Sequence, residues 1–329
     1  MILPGFEHGV GVHCGSTALR EALRFAGVEL SEPMVFGLGA GCSFTLHRGS
    51  QSVAPPQPSL LFAGRSVGFD DQVCAALNLT TRVVAPGTAA DVWAAAKASL
   101  DEGRPALVTT DLLHLPYLGA HGHWGGHLVV LAGYEQNGFA WVADNERDGL
   151  ERVIESDLLL ALDSRAEPGV GLSAVRSIAP RPALSKDELL AAASAAIGRQ
   201  ARLVLDSPTE GMSALSRFPD SLAALCDHAD WQKSLRLGFQ VIELRGNGGG
   251  LFRRLYGRFL TEVSRLGVPK AGELRAPTLA AAEAWTALAE SMETARHRDK
   301  PELAEVVRAS EACLAAERAL WTKVAELFA

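Results

Sequence analysis

Cys14 is the residue of this sequence best suited to covalent chemistry. It lies in Gly11-Val12-His13-Cys14-Gly15-Ser16-Thr17, between a Gly-rich entry and an apolar pattern of helical spacing: Ala18, Leu19, Ala22, Leu23 and Ala26. That spacing predicts a helix that starts near Gly15 and closes at Gly27, where a left-handed residue ends helices well. The N–H groups and dipole at a helix start stabilise an anion. A thiol placed there has a lowered pKa and is a better nucleophile at neutral pH. A small buried cysteine that happens to precede a helix would give the same pattern. A partner base has to separate the two readings.

A cysteine nucleophile needs an imidazole to take its proton and a third group to orient that imidazole. Of nine histidines, His127 is the best placed, opening an apolar strand that runs to Tyr134, just after Gly125 and Gly126. Asp144 ends the next strand, Phe139 to Asp144. With Glu135–Gly138 as a four-residue loop, Tyr134 pairs Phe139 and Asp144 falls opposite Val129. His127 and Asp144 are then diagonal neighbours about 7–8 Å apart, within side-chain reach. A two-residue Asn137-Gly138 turn would put Asp144 opposite Leu131, roughly 13 Å from His127 at about 3.3 Å per residue. The triad therefore requires the longer loop or an equivalent bulge. Taken singly, His127 could be a satisfied polar group at a strand end and Asp144 a turn residue. Asn145 points to the other face and is the weaker orienter.

Two other patterns could carry chemistry. His121-Gly122-His123-Trp124-Gly125-Gly126-His127 has H-x-H-x-x-x-H spacing, but no carboxylate follows closely and the glycines loosen the loop, so no metal is assigned. Gly246–Gly250 precede a helix carrying Arg253, Arg254 and Arg258 and could cradle a phosphate. They lack the nucleotide P-loop pattern, and a tight helix–helix turn explains them equally.

These residues must be positioned by two kinds of architecture. Strands are expected at Leu60–Ala63, Thr80–Ala85, Ala106–Thr110, His127–Tyr134, Phe139–Asp144 and Leu172–Ile178. Helices are expected at Asp70–Leu77, Ala89–Glu102 and Ser156–Leu162. Gly37, Gly39 and Gly41 suggest a loop or irregular strand with close backbone approach, and the polar, Pro-rich residues 48–58 a surface loop. Asp111 sits just past the end of its strand. Beyond Pro180-Arg181-Pro182 only helical patterns follow: 186–203, 212–226, 230–245, 251–266, 277–297 and 301–328. The chain thus reads as an α+β domain, residues 1–182, and an all-helical domain, residues 183–329.

The 329 residues suffice for two cores; 48% hydrophobic and 21% charged is an ordinary globular composition. With 31 basic and 38 acidic residues the net charge is −7, which argues against a nucleic-acid partner. The first residues lack a signal-peptide pattern, and no uncharged apolar run is long enough for a membrane span. Five cysteines without C-x-x-C spacing fit a reducing, cytoplasmic setting.

The order cysteine at a helix start, histidine on a strand, and aspartate on the next strand resembles papain-like and peptidase C39-like folds. More closely, His13–Leu19, Leu30-Ser31-Glu32, Phe36-Gly37-Leu38-Gly39, Asp111 with Leu115-Pro116-Tyr117, Gly126-His127 and Ala143-Asp144 resemble the N-terminal family of butirosin biosynthesis protein H. Gly246–Arg254 resembles the helical domain that commonly follows. The resemblance implies a papain-like fold with a central antiparallel sheet, then an all-α domain. It implies an acyltransferase of specialised-metabolite or antibiotic biosynthesis that moves an acyl group from a carrier-protein or coenzyme A thioester to an amine.

Cys14 would then be the nucleophile, His127 the base and acid, and Asp144 the orienter, with the backbone N–H of Cys14 serving the oxyanion. Papain-like enzymes place a glutamine six residues before the cysteine; here that position is His8, with His13 an alternative. Asp111, Tyr117 and Arg253 are the candidate substrate-binding residues, Arg253 for the phosphate of phosphopantetheine carried by the donor; no cofactor of the protein's own is expected. The same residues could serve amide or thioester hydrolysis, or the fold could be a non-catalytic binding module. Alanine-rich helices such as Pro277–His297 offer a face for a homodimer.

Overall fold

The computed structural model describes residues 1–49, 58–85, 87–163 and 173–328. In chain order its elements begin with α1 (Cys14–Phe25), α2 (Glu32–Leu38), β1 (Cys42–Arg48), β2 (Leu60–Arg65) and α3 (Phe69–Ala76). There follow β3 (Thr81–Val84), α4 (Ala89–Asp101), β4 (Ala106–Thr110), β5 (His127–Glu135), β6 (Phe139–Ala143), β7 (Glu151–Ile154), α5 (Glu155–Leu162) and β8 (Val175–Ile178). Helices complete the chain: α6 (Lys186–Asp206), α7 (Met212–Leu215), α8 (Phe218–Ala223), α9 (Trp231–Glu243), α10 (Arg253–Leu266), α11 (Pro269–Glu273), α12 (Arg275–Ala295) and α13 (Ala304–Phe328). The fold class is α+β.

The chain divides into two compact units, Met1–Val35 with Asn78–Leu184, and Phe36–Leu77 with Ser185–Ala329. The change of regime near residue 182 thus falls at Leu184, but residues 36–77 group with the C-terminal helices rather than with the first domain. The second unit is therefore not all-helical, because it contains the antiparallel pair β1–β2.

In the first unit six strands form an antiparallel sheet in the order β3-β8-β4-β5-β6-β7. β5 is central, with seven consecutive buried residues from His127 to Gly133 and an apolar run from Leu128 to Ala132. Helices α4 and α5 bury Val92, Trp93, Ala96, Leu100, Leu158 and Leu162 in one core with Val108, Val129, Leu131 and Val142 of the sheet. Beyond the start of β4, residues 1–3 become a neighbour of β5: Leu3 N–H donates to Ala132 and Tyr134 N–H to Met1, both at 2.8 Å. Gly133 permits this crossing, since a Cβ there would lie 2.2 Å from the Met1 carbonyl oxygen. β7 had no counterpart among the expected strands, for Glu151-Arg152-Val153-Ile154 is too short and charged to stand out.

Residues 35–44, expected as a loop or irregular strand, carry the rest of helix α2 and the irregular start of β1; the helix accommodates Pro33 because a proline at the beginning of a helix removes an N–H that needs no partner. The close approaches at these glycines are to aromatic rings: a Cβ on Gly37 would lie 2.1 Å from Phe259, and one on Gly39 2.4 Å from Phe69. The expected helix 212–226 is broken into α7, α8 and a 3₁₀ turn, with Pro219 in the first turn of α8. The expected Pro-rich loop falls at 50–57, outside the described residues, as does Leu172.

Candidate active site

Cys14 is the first residue of α1, and His13 caps the helix by accepting the Ser16 N–H on Nδ1 at 3.1 Å. The approach to Cys14 is fixed by a carboxylate that the sequence offered only as part of a motif. Glu32, buried at the start of α2, accepts the N–H groups of Val12 (2.9 Å) and His13 (2.8 Å) and the hydroxyls of Ser16 (2.9 Å) and Thr17 (3.1 Å). Gly11 closes the turn, since a Cβ there would meet the Thr17 hydroxyl oxygen at 1.9 Å. Its N–H donates to the Asn145 carbonyl (3.1 Å), tying the cysteine loop to the end of β6.

His127 and Asp144 are brought together by an irregularity in the hairpin. The ladder runs Glu135↔Phe139, Tyr134↔Ala140, Gly133↔Trp141, then shifts register to Leu131↔Val142 and Val130↔Ala143. Ala132 is the extra residue of a bulge. Without it Asp144 would follow on opposite Val130 and face away from His127. With it, the next position lies opposite Val129, on the face His127 shares. The Nε2–H of His127 donates to Asp144 Oδ2 at 2.8 Å, and both side chains are buried.

With Nε2 held by Asp144, the other ring nitrogen is left to face the sulfur. Burial would lower the basicity of His127, but hydrogen bonds to Asp144 and Cys14, with their charges, raise its pKa from the ordinary 6.5 to about 10. Burial would raise the Asp144 carboxyl, yet donation from His127, the positive charge of its ring, the Glu146 N–H and the Tyr117 hydroxyl hold it below the usual range. Tyr117, from the 3₁₀ turn Pro116–Leu118, donates to Asp144 Oδ2 at 2.8 Å. Burial and the neighbouring Asp144 push the phenol upward, so it remains a donor. Tyr117 therefore acts on the orienting carboxylate, a role its composition-neutral motif did not disclose.

Other expected site residues are placed elsewhere. His8 spends both ring nitrogens, Nδ1 on Glu21 of α1 (2.7 Å) and Nε2 on the Arg147 carbonyl (2.9 Å), so its ring ties α1 to the loop after β6 and is not presented to an oxyanion. The Nδ1 of His13 is committed to its cap. Arg253 is 1% exposed and bound through Nε (2.7 Å) and a terminal nitrogen (2.9 Å) to Glu317, which also accepts the indole N–H groups of Trp285 and Trp321. It is not available to a substrate phosphate.

The Gly246–Gly250 segment is the helix–helix turn, with positive φ at Gly246, Gly248, Gly249 and Gly250. The Glu243 carboxylate accepts the Gly250 N–H (3.2 Å) where a phosphate would have to sit. Asp111, buried, forms instead a cluster with His114 and His123 that could hold a metal ion.

A thiol at a helix start, a buried imidazole and a carboxylate, joined by hydrogen bonds on an α+β sheet, form an arrangement that can support nucleophilic cysteine chemistry. Residues 13–145 match the family described as Butirosin biosynthesis protein H, N-terminal, and residues 165–324 match Domain of unknown function (DUF4872). The two matches follow one another along the chain, that family's N-terminal domain first and the second domain after it. No curated protein matches it. Among the described residues no helix is long and apolar enough to cross a membrane.

Proposed function

We propose that the first unit is a papain-like domain acting as a thiol acyltransferase, which takes an acyl group from a phosphopantetheine thioester, on a carrier protein or coenzyme A, and gives it to a small-molecule amine. The observation that carries this reading is the line Tyr117–Asp144–His127–Cys14. Attack of the Cys14 sulfur on the thioester carbonyl forms a C–S bond and an oxyanion. The helix-start N–H of Cys14 is oriented to stabilise that charge. Collapse expels the donor thiolate, which takes the proton held by His127. The amine then attacks acyl-Cys14 and loses a proton to His127, and the Cys14 sulfur departs as the amide forms. The family's association with butirosin biosynthesis supports a place in specialised-metabolite assembly.

Incubation of the full chain with acyl-coenzyme A and acyl-carrier thioesters, followed by intact-mass measurement, tests the reading. The expected result is a stable one-acyl adduct absent from Cys14→Ala and discharged by added amines as amide. Discharge to the free acid at the same rate with and without amine would identify a hydrolase. No adduct with any thioester would remove the proposal.

A further inference from the structure

Asp111, His114 and His123 converge outside the Cys14–His127–Asp144 line, and the proposed acyl transfer uses none of the three. One ligand atom from each lies within 4.8 Å of the other two. The fold builds this convergence locally. Asp111 follows β4 and caps the 3₁₀ turn Leu112–His114, and residues three apart eclipse one another in such a turn. His123 comes from the loop before β5, with its Nδ1 2.8 Å from Asp111 Oδ2. The His114 and His123 rings lie 5.7 Å apart between centroids.

The Asp111 carboxylate has the other marks of a ligand. Its Oδ1 accepts the N–H groups of Leu113 (3.1 Å) and Trp124 (3.0 Å), which fix its orientation as outer-shell donors do at metal centres. Ligand atoms around tetrahedral zinc, bound at about 2.0–2.2 Å, stand roughly 3.5 Å apart. Rotation of the partly exposed His114 and the exposed His123 would close the remaining gap.

We propose that Asp111, His114 and His123 bind a divalent transition-metal ion, zinc in the first instance, with a coordination position left for water. Two imidazoles and one carboxylate are a recognised zinc donor set. Coordination through Nδ1 of His123 replaces its hydrogen bond to Asp111, and the ring's N–H then sits on Nε2. Asp111 directly follows Thr110, the register partner of His127. An ion here would therefore tie the segment 119–126 to β4 beside the histidine that opens β5.

The test is titration of the chelator-treated full chain with zinc chloride against a chromophoric chelator. One equivalent is expected to bind, at least about 10-fold more weakly in His114→Ala and in His123→Ala, and equally well in Cys14→Ala. Cys14→Ala is essential because the Cys14–His127 pair is itself a zinc-binding combination. Cobalt(II) loaded in place of zinc should show ligand-field bands without a thiolate charge-transfer band. Failure to bind an equivalent at about 100 μM zinc, well above the affinity of a built site, would overturn the site. So would affinity lost in Cys14→Ala, or kept when both histidines are replaced. Circular dichroism of each variant separates loss of the ligand from loss of the fold.

Discussion

Near neutral pH the buried His127 ring is held as imidazolium, the partner that a cysteine thiolate requires. Because its folded pKa, about 10, lies above its ordinary 6.5, it contributes stability that is complete below about pH 6.5 and lost as pH rises through about 10. Thermal unfolding of the native chain and His127→Gln should differ by a constant amount at low pH and converge towards pH 10. A gap that widens with pH would contradict the assignment. Asp144 has the opposite sign: its lowered pKa gives stability present above its ordinary 3.8 and lost in more acid solution. Tyr117→Phe removes one donor to that carboxylate, worth about 0.5–1.5 kcal/mol. The rate of Cys14 acylation should fall roughly 2- to 10-fold, with little change in melting temperature. At this scale Cys14, His127 and Asp144 were legible because their chemistry and spacing are distinctive. Glu32 stood out only within a motif and Tyr117 only as a substrate-binding candidate, since a carboxylate that holds a loop and a phenol that holds a carboxylate have no spacing of their own.

The elements position these residues through features that a residue pattern states only loosely. Bringing Asp144 to the face of His127 requires a four-residue loop or an equivalent bulge, and the bulge at Ala132 supplies the missing register step. It sits where residues 1–3 pair with β5, a contact between chain positions 133 residues apart that periodicity cannot reveal. Gly133→Val should displace residues 1–3, cost about 1–3 kcal/mol as overpacking does, and slow Cys14 acylation by disturbing the register beside it. Urea unfolding and acylation rate together check this. Glu32→Ala should remove the acceptor for four donors around Cys14, with acylation slowed at least about 10-fold. Helix periods were read well in α4, α6, α12 and α13, where apolar residues recur every three or four positions. α2 was missed because Pro33 and three glycines look like a loop unless the rings of Phe259 and Phe69 are known to be above them.

For the molecule as a whole, the composition points to two cores, and the chain has two compact units, with β1 and β2 grouped in the second although they precede most of the first in sequence. Only long-range pairing carries that information. The second unit depends on a buried ion pair in place of the expected phosphate site. Arg253→Leu leaves Glu317 charged and uncompensated beside Trp285 and Trp321, and should cost about 3–5 kcal/mol in chemical denaturation.

The central claim is that Cys14 is an activated nucleophile, and competitive alkylation tests it most directly. Cys226 is exposed and Cys14 only partly so, while Cys42, Cys74 and Cys313 are buried. Exposure alone therefore predicts that limiting iodoacetamide labels Cys226 first. Activation by His127 at a helix start predicts instead that at about pH 6 the label falls on Cys14, and that His127→Ala abolishes the preference. Peptide mapping that finds Cys226 labelled first, with Cys14 reacting no faster in the native chain than in His127→Ala, would contradict the account.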